Sequence, residues 1–128
     1  GVRDHVRLVG FIPDDRLPHA YRAADISIVP SVSLEGFGLI VAESFAAGTP
    51  CLVTPVGGLP EAVTGLSPAL VMGGASPEML ADGMAAALTG ALPLPTAAQC
   101  LAFARTNYDW PVIAARVRTA YEDALAVP

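Results

Sequence analysis

The sequence has 128 residues, enough for one domain with a real core but short for a complete nucleotide-binding enzyme. Its net charge of −5 and complete lack of lysine argue against a broad nucleic-acid surface and remove every lysine-based mechanism, Walker lysine and Schiff base alike. Cys51 and Cys100 stand in apolar settings and read as reduced core thiols, no charged-then-apolar leader opens the chain, and Gly90, Pro93 and Pro95 interrupt the uncharged region 85–104, so a soluble, cytoplasmic protein is expected.

The first third alternates strand and helix. Residues 6–11 (VRLVGF) form a β-branched and apolar run that predicts a strand, after which Pro13, Asp14 and Asp15 give a turn and an acidic helix start. In the helix expected over 14–24, Leu17, Ala20, Tyr21 and Ala24 recur at helical spacing and define one buried face. Residues 26–29 carry no charge, as a strand covered on both faces should, and end at Pro30 and Ser31. A loop and a helix over 38–47 come next, then a strand at 51–54, a glycine-rich turn at 55–60 and a weaker strand at 69–72. Helices are predicted at 77–88 behind a Ser76 cap, at 96–106 and at 111–125.

Strands alternating with helices at this spacing mean an α/β domain with a parallel sheet, and such sheets bind ligands at the carboxyl ends of their strands. Residues 31–38 and 54–61 both lie at such ends, so the two glycine-rich loops should face one crevice. No internal repeat, low-complexity tract or linker divides residues 1–128.

The stretch 35–50 (EGFGLIVAESFAAGTP) carries the chemistry. Glu35 and Glu43 stand eight positions apart, with a Gly-Phe-Gly turn after the first and a helix-forming run bearing the second. The first N–H groups of a helix have no intrahelical partner and carry partial positive charge, so an anion can dock there without a basic side chain. Gly36 and Gly38 allow a ligand close to the backbone. Eight residues of helix span about 12 Å, so the two carboxylates can bracket an extended ligand with hydroxyls at both ends and anionic charge between them, such as a sugar joined through a diphosphate to a ribose.

The run GFIPDDRLPHAYRAADISIVPSVSLEGFGLIVAESFAAGTPCLVTPVGGLPEAV resembles the nucleotide-sugar-binding, C-terminal part of a family 4 retaining glycosyltransferase with the GT-B fold. The features that carry the resemblance are E-x7-E at Glu35 and Glu43 with GFG between them, Ala24-Asp25 and Pro30-Ser31 before, Gly57-Gly58 and Glu61 after, and Tyr108-Asp109-Trp110 opening the last helix. The resemblance implies a Rossmann-like parallel sheet and transfer of a sugar from an NDP-sugar donor to an acceptor with retained configuration. It implies that Glu35 meets sugar hydroxyls near the reacting carbon, acting by position and electrostatics. By the same resemblance the backbone amides of Phe37, Gly38 and Leu39, with Gly36 beside them, hold the sugar and diphosphate, and Glu43 binds the ribose hydroxyls. Ile12 falls where such enzymes touch the base through the backbone. Gly57 and Gly58 serve either a close approach to the donor or the interdomain cleft, or a tight turn. No metal or other cofactor is implied, and the sequence has no cluster with ligand spacing.

The same resemblance makes residues 1–128 a single partial domain. The chain begins near the third strand of the usual domain, so the first two strands, the basic residues of that region and the N-terminal acceptor-binding domain are expected to be missing. In the order 3-2-1-4-5-6, the strand at 6–11 would lie beyond both missing strands. A fragment inactive alone, with sheet edges covered by a second copy, is the consequence drawn, and the full-length protein would be cytoplasmic or peripheral to a membrane.

Two other classes of protein compete with this reading. A dinucleotide dehydrogenase needs G-x-G-x-x-G after the first strand, whereas Val41 occupies the third glycine position here. A non-catalytic binding or self-assembly module that retains the fold is the alternative to the transferase. Tyr21, Phe45, Trp110 and Tyr121 read as core rather than sugar platforms, His5 and His19 as surface or structural, Arg16 and Arg22 as helix surface, and Ser31 and Ser33 as lacking the paired base a nucleophile needs.

Overall fold

The computed structural model describes residues 1–126. In chain order they form α1 (Leu17–Arg22), β1 (Ser27–Val29), α2 (Leu39–Ala46), β2 (Cys51–Val53), α3 (Leu59–Thr64), α4 (Pro77–Leu88), α5 (Ala97–Tyr108) and α6 (Trp110–Ala126), with short 3-10 turns at Arg3–His5 and Pro68–Leu70. β1 and β2 pair in parallel, Ser27 opposite Cys51 and Val29 opposite Val53, joined through α2 as a right-length crossover requires. This is the α/β arrangement with a parallel sheet that the alternating pattern predicts.

Local chemistry sets the helix ends. Gly38 precedes α2 in the left-handed region, at φ 77°, and Gly48 closes the helix at φ 84°. The Gly48 N–H donates to Phe45 O and the Thr49 N–H to Ser44 O, the paired bonds of a Schellman ending. Ser76 caps α4 by accepting from the Met79 N–H, with Pro77 at the first helical position. Thr96 and Gln99 form a reciprocal capping box at α5.

The core lies where α2, α3 and α5 close over β2. All three residues of β2 are buried, together with Val41, Phe45, Leu59, Val63, Leu70, Cys100 and Ala104. Burial of this apolar surface supplies the main favourable term for folding. Phe45 reaches Phe103 edge-to-face at a ring separation of 5.9 Å, which locks α2 to α5.

Several expectations are corrected. Residues 6–11 form no strand: Leu8 is 94% and Phe11 87% exposed, and no described residue offers them a pairing edge. A β-branched run becomes a strand only when a neighbour takes its hydrogen bonds, so its pattern alone does not suffice. The weaker strand at 69–72 reduces to one parallel bridge, Val53 to Val71, beside the Pro68–Leu70 turn, with the Met72 N–H donating to Val53 O at 2.8 Å. The turn expected over 55–60 runs into α3 at Leu59, where Pro60 sits in the first turn, a position that suits its fixed φ. α1 is shorter than the span 14–24, and Ala20 and Ala24 are exposed. Phe45 is core as expected, Tyr21 is half-buried, and Trp110 and Tyr121 are 83% and 69% exposed. The last two lie on α6, which has no buried residue.

Both cysteines are free and buried. Burial pushes each thiol from 9.0 up to about 11, because the thiolate would lose its hydration. Between those values the unfolded chain binds fewer protons than the folded one, so stability present below pH 9 is lost as pH rises through about 11. A urea midpoint that is flat from neutrality to about pH 8.5 and falls beyond it is the expected result, with a shallower fall in the C51A/C100A double variant.

Candidate functional site

Two loops at the carboxyl ends of β1 and β2 build the site, as the strand arrangement predicts. Leu34 turns the first loop into Glu35 at φ 55°, a left-handed conformation uncommon for a residue with a side chain. The Ser31 hydroxyl donates to Glu35 Oε2 at 2.9 Å. Ser31 is in turn held by the buried Thr54, whose hydroxyl donates to the Ser31 carbonyl at 2.6 Å. The orientation of the Glu35 carboxylate is thus fixed from the ends of both strands.

The second loop meets the first backbone to backbone. The Gly58 N–H donates to Gly36 O at 2.8 Å. A Cβ at Gly58 would stand 2.1 Å from that oxygen, and one at Gly57, which has φ 55°, would stand 1.8 Å from Glu35 O. What the fold asks of this glycine pair is therefore contact with the Glu35–Gly36 backbone. Gly36 differs, with open space where its Cβ would be.

Gly38 delivers the chain into α2, and a Cβ there would lie 2.5 Å from Leu59 Cδ2. No side chain caps α2, and its first turn holds no acid, so the opening amides from Leu39 onward keep their partial positive charge. Phe37 beside them packs edge-to-face on Tyr108 at 5.5 Å, and Tyr108 packs on Phe103 at 5.7 Å. The Tyr108 hydroxyl donates to Ala62 O at 2.7 Å, and burial raises its pKa. An aromatic chain therefore connects the loop tip to the core.

Glu43 lies on the exposed side of α2, where Oε2 accepts from the Tyr21 hydroxyl at 2.9 Å. Both residues line a cavity of about 430 Å³ between α1 and α2, with Asp14, Leu17, Pro18 and Ala46. Desolvation first, and then the bond to Glu43 and its charge, push the Tyr21 phenol up to about 12, so it remains a donor at ordinary pH. The structure therefore brings Glu35, Gly36, Phe37, Gly38 and Leu39 together on one side and Glu43 with Tyr21 on the other. Ile12 and Glu35 do not line the Glu43 cavity.

Sequence reasoning missed Tyr21, Ser31 and Thr54 as partners of the two carboxylates. Ser31 had a local signal, four positions before Glu35. Tyr21 had none, because it stands 22 residues from Glu43 and meets it only through packing of α1 on α2. Among the described residues no group of three His, Cys, Asp or Glu side chains is placed to hold a metal ion, and no helix is long and apolar enough to cross a membrane.

Comparison with known proteins identifies the family of the chain. The sequence matches the family described as Glycosyl transferases group 1 over residues 1–106. The chain belongs to that glycosyltransferase family. Its similarity to the D-inositol 3-phosphate glycosyltransferase of Corynebacterium glutamicum (strain R) is 38% identity over 127 residues, covering 98% of this chain and 30% of the relative. The protein of the same name from Acidothermus cellulolyticus is 37% identical over 126 residues, 98% of this chain and 28% of its own length. That of Thermobifida fusca is 50% identical over a shorter 74 residues, 57% of this chain and 17% of the relative. This glycosyltransferase chain thus spans about 30% of the length of the curated relatives it matches.

Two glycines of these loops are separable by stability. Gly57→Ala forces a methyl against Glu35 O and should cost roughly 3 kcal/mol or more by denaturant titration. Gly36→Ala meets no atom and should change the unfolding free energy by less than about 0.5 kcal/mol.

Proposed function

We propose that this chain is the donor-binding part of a retaining glycosyltransferase that moves a sugar from an NDP-sugar to an acceptor. One observation carries the reading: two carboxylates, each oriented by a hydroxyl, stand one in the loop before and one in the far half of a helix whose start is uncapped and opened by a left-handed glycine. The α2 amides beside Phe37, Gly38 and Leu39 receive the diphosphate, and Glu43 takes the ribose hydroxyls at the mouth of its cavity. Glu35, at the other end, accepts hydrogen bonds from sugar hydroxyls near the anomeric carbon, while Ile12 contributes backbone contact toward the base.

Transfer breaks the bond between the anomeric carbon and the diphosphate oxygen, and the acceptor hydroxyl oxygen forms the new bond on the same face while its proton passes to the leaving diphosphate. Charge collects on the leaving diphosphate as that bond opens. Fixed amide donors aimed there stabilise the transition state more than the ground state, because the charge is larger at that moment. Glu35 contributes by orienting the sugar and by its negative field at a carbon that becomes electron-poor. No metal or other cofactor enters this scheme.

The acceptor side and the basic residues opposite the diphosphate belong to the rest of the protein, as the share of its relatives that this chain covers suggests. We propose that residues 1–128 by themselves do not catalyse transfer, that the intact protein works in the cytoplasm or at a membrane periphery, and that D-inositol 3-phosphate is the first acceptor to assay, given the names of its relatives. A second reading, a fold kept for binding or self-assembly, draws on the exposed apolar side of α6 around Trp110, Val117, Tyr121 and Leu125.

Ligand titration and turnover separate the two. UDP, GDP or ADP, or a corresponding NDP-sugar, should raise the melting temperature of the protein, and Glu43→Ala should weaken that binding about 10- to 100-fold, the worth of hydrogen bonds to a charged group. In the intact protein Glu35→Ala should lower kcat by about 100-fold with a smaller change in KM. No response to any nucleotide would favour the assembly reading.

A further inference from the structure

Tyr21 is held at both ends relative to the helix that bears Glu43. The buried Thr49, in the Schellman ending of α2, donates through Oγ1 to the Tyr21 carbonyl at 2.7 Å. The Tyr21 hydroxyl donates back to Glu43 Oε2 at 2.9 Å, three residues short of the end of the same helix. The ring between these anchors lines the cavity beside Leu17 and Pro18. Glu43 has no other side-chain partner among the described hydrogen bonds and salt bridges.

A glutamate on a helix surface samples several rotamers, and ordering such a long side chain carries an entropic cost. The Tyr21 bond selects one of them before any ligand arrives. It occupies a lone pair of Oε2 and leaves Oε1 without a partner among the described hydrogen bonds, on a residue that lines the cavity. A carboxylate held in that way suits a vicinal diol, whose two adjacent hydroxyls donate to the oxygens of one carboxylate. A nucleotide lacking one of those hydroxyls leaves part of the acceptor capacity unfilled.

We propose that Tyr21 is a positioning residue for donor recognition, its hydroxyl holding the Glu43 carboxylate in the orientation that grips a ribose diol, so that the pair sets the preference for ribonucleotides over 2′-deoxyribonucleotides. The inference rests on the reading of Glu43 as the ribose-binding carboxylate. Tyr21 makes no ligand contact in this scheme. It acts through Glu43, by pre-organisation.

The test is a double-mutant cycle in the intact protein, read as the ratio of dissociation constants for a nucleoside diphosphate and its 2′-deoxy counterpart, with UDP/dUDP, GDP/dGDP and ADP/dADP as probes. Tyr21→Phe keeps the ring and removes only the hydroxyl from a bond exposed to solvent, so its melting temperature should stay within a few degrees. The wild-type ratio should favour the ribo form about tenfold or more, Glu43→Ala should bring it close to one, and Tyr21→Phe should lower it about 3- to 10-fold. Added to Glu43→Ala, the Tyr21→Phe change should alter neither the ratio nor the affinity further, whereas a purely structural effect would add. If Glu43→Ala erases the preference while Tyr21→Phe retains the wild-type ratio, or if the two changes add, the positioning role is overturned and the ribose reading stands. If Glu43→Ala leaves the ratio unchanged, or no nucleoside diphosphate binds, the ribose reading fails and the inference with it.

Discussion

Everything at the candidate site depends on two loop backbones lying against each other with no side chain between them. The Gly57–Gly58 turn touches the Glu35–Gly36 segment so closely that a single methyl at either glycine would overlap a carbonyl oxygen. Close packing of this kind transmits position, because there is no flexible side chain to absorb a shift. The hydrogen bond from Gly58 to Gly36 fixes the register of that contact, and the Thr54–Ser31–Glu35 chain repeats the constraint one layer deeper.

From that contact the rest of the arrangement follows. With the first loop fixed, Gly38 can enter α2 in a left-handed conformation over Leu59, and α2 then packs on β2 and α5 through Val41 and Phe45. The start of α2 is left uncapped at the loop, while its far half carries Glu43 to the cavity against α1. The two carboxylates occupy different surroundings as a result. Glu35 is ordered from the strand ends, and Glu43 is ordered from a neighbouring helix by Tyr21. That division suits a ligand with two chemically distinct ends, the physical basis of the proposed donor site.

Away from the candidate site, a good deal of apolar surface stays uncovered among the described residues. Residues 6–11 and the length of α6 leave large side chains in water, Leu8, Phe11, Trp110 and Leu125 among them. Their exposure contrasts with the buried centre around β2, where every residue of the strand is covered. The chain spans about 30% of the length of relatives such as the one from Corynebacterium glutamicum.

The sequence by itself determined the elements whose causes are local. Glycines at 38 and 48 bound α2, Ser76 and Thr96 cap α4 and α5, and the uncharged runs around Ile28 and Leu52 become the paired strands. The placement of Glu35 in a loop and Glu43 on the helix after it was legible too, because both follow from local glycine and helix signals. Tertiary structure alone decided the rest. Residues 6–11 have the composition of a strand and no partner, Val71 contributes a single bridge, and the apolar side chains of α6 remain outside the core, because periodicity records what an element is able to bury and not what is there to cover it. The partners of the two carboxylates were equally hidden. Tyr21 meets Glu43 only when α1 packs on α2, and the space denied to Gly57 exists only once two distant strands lie side by side, so both depend on contacts that no local pattern encodes.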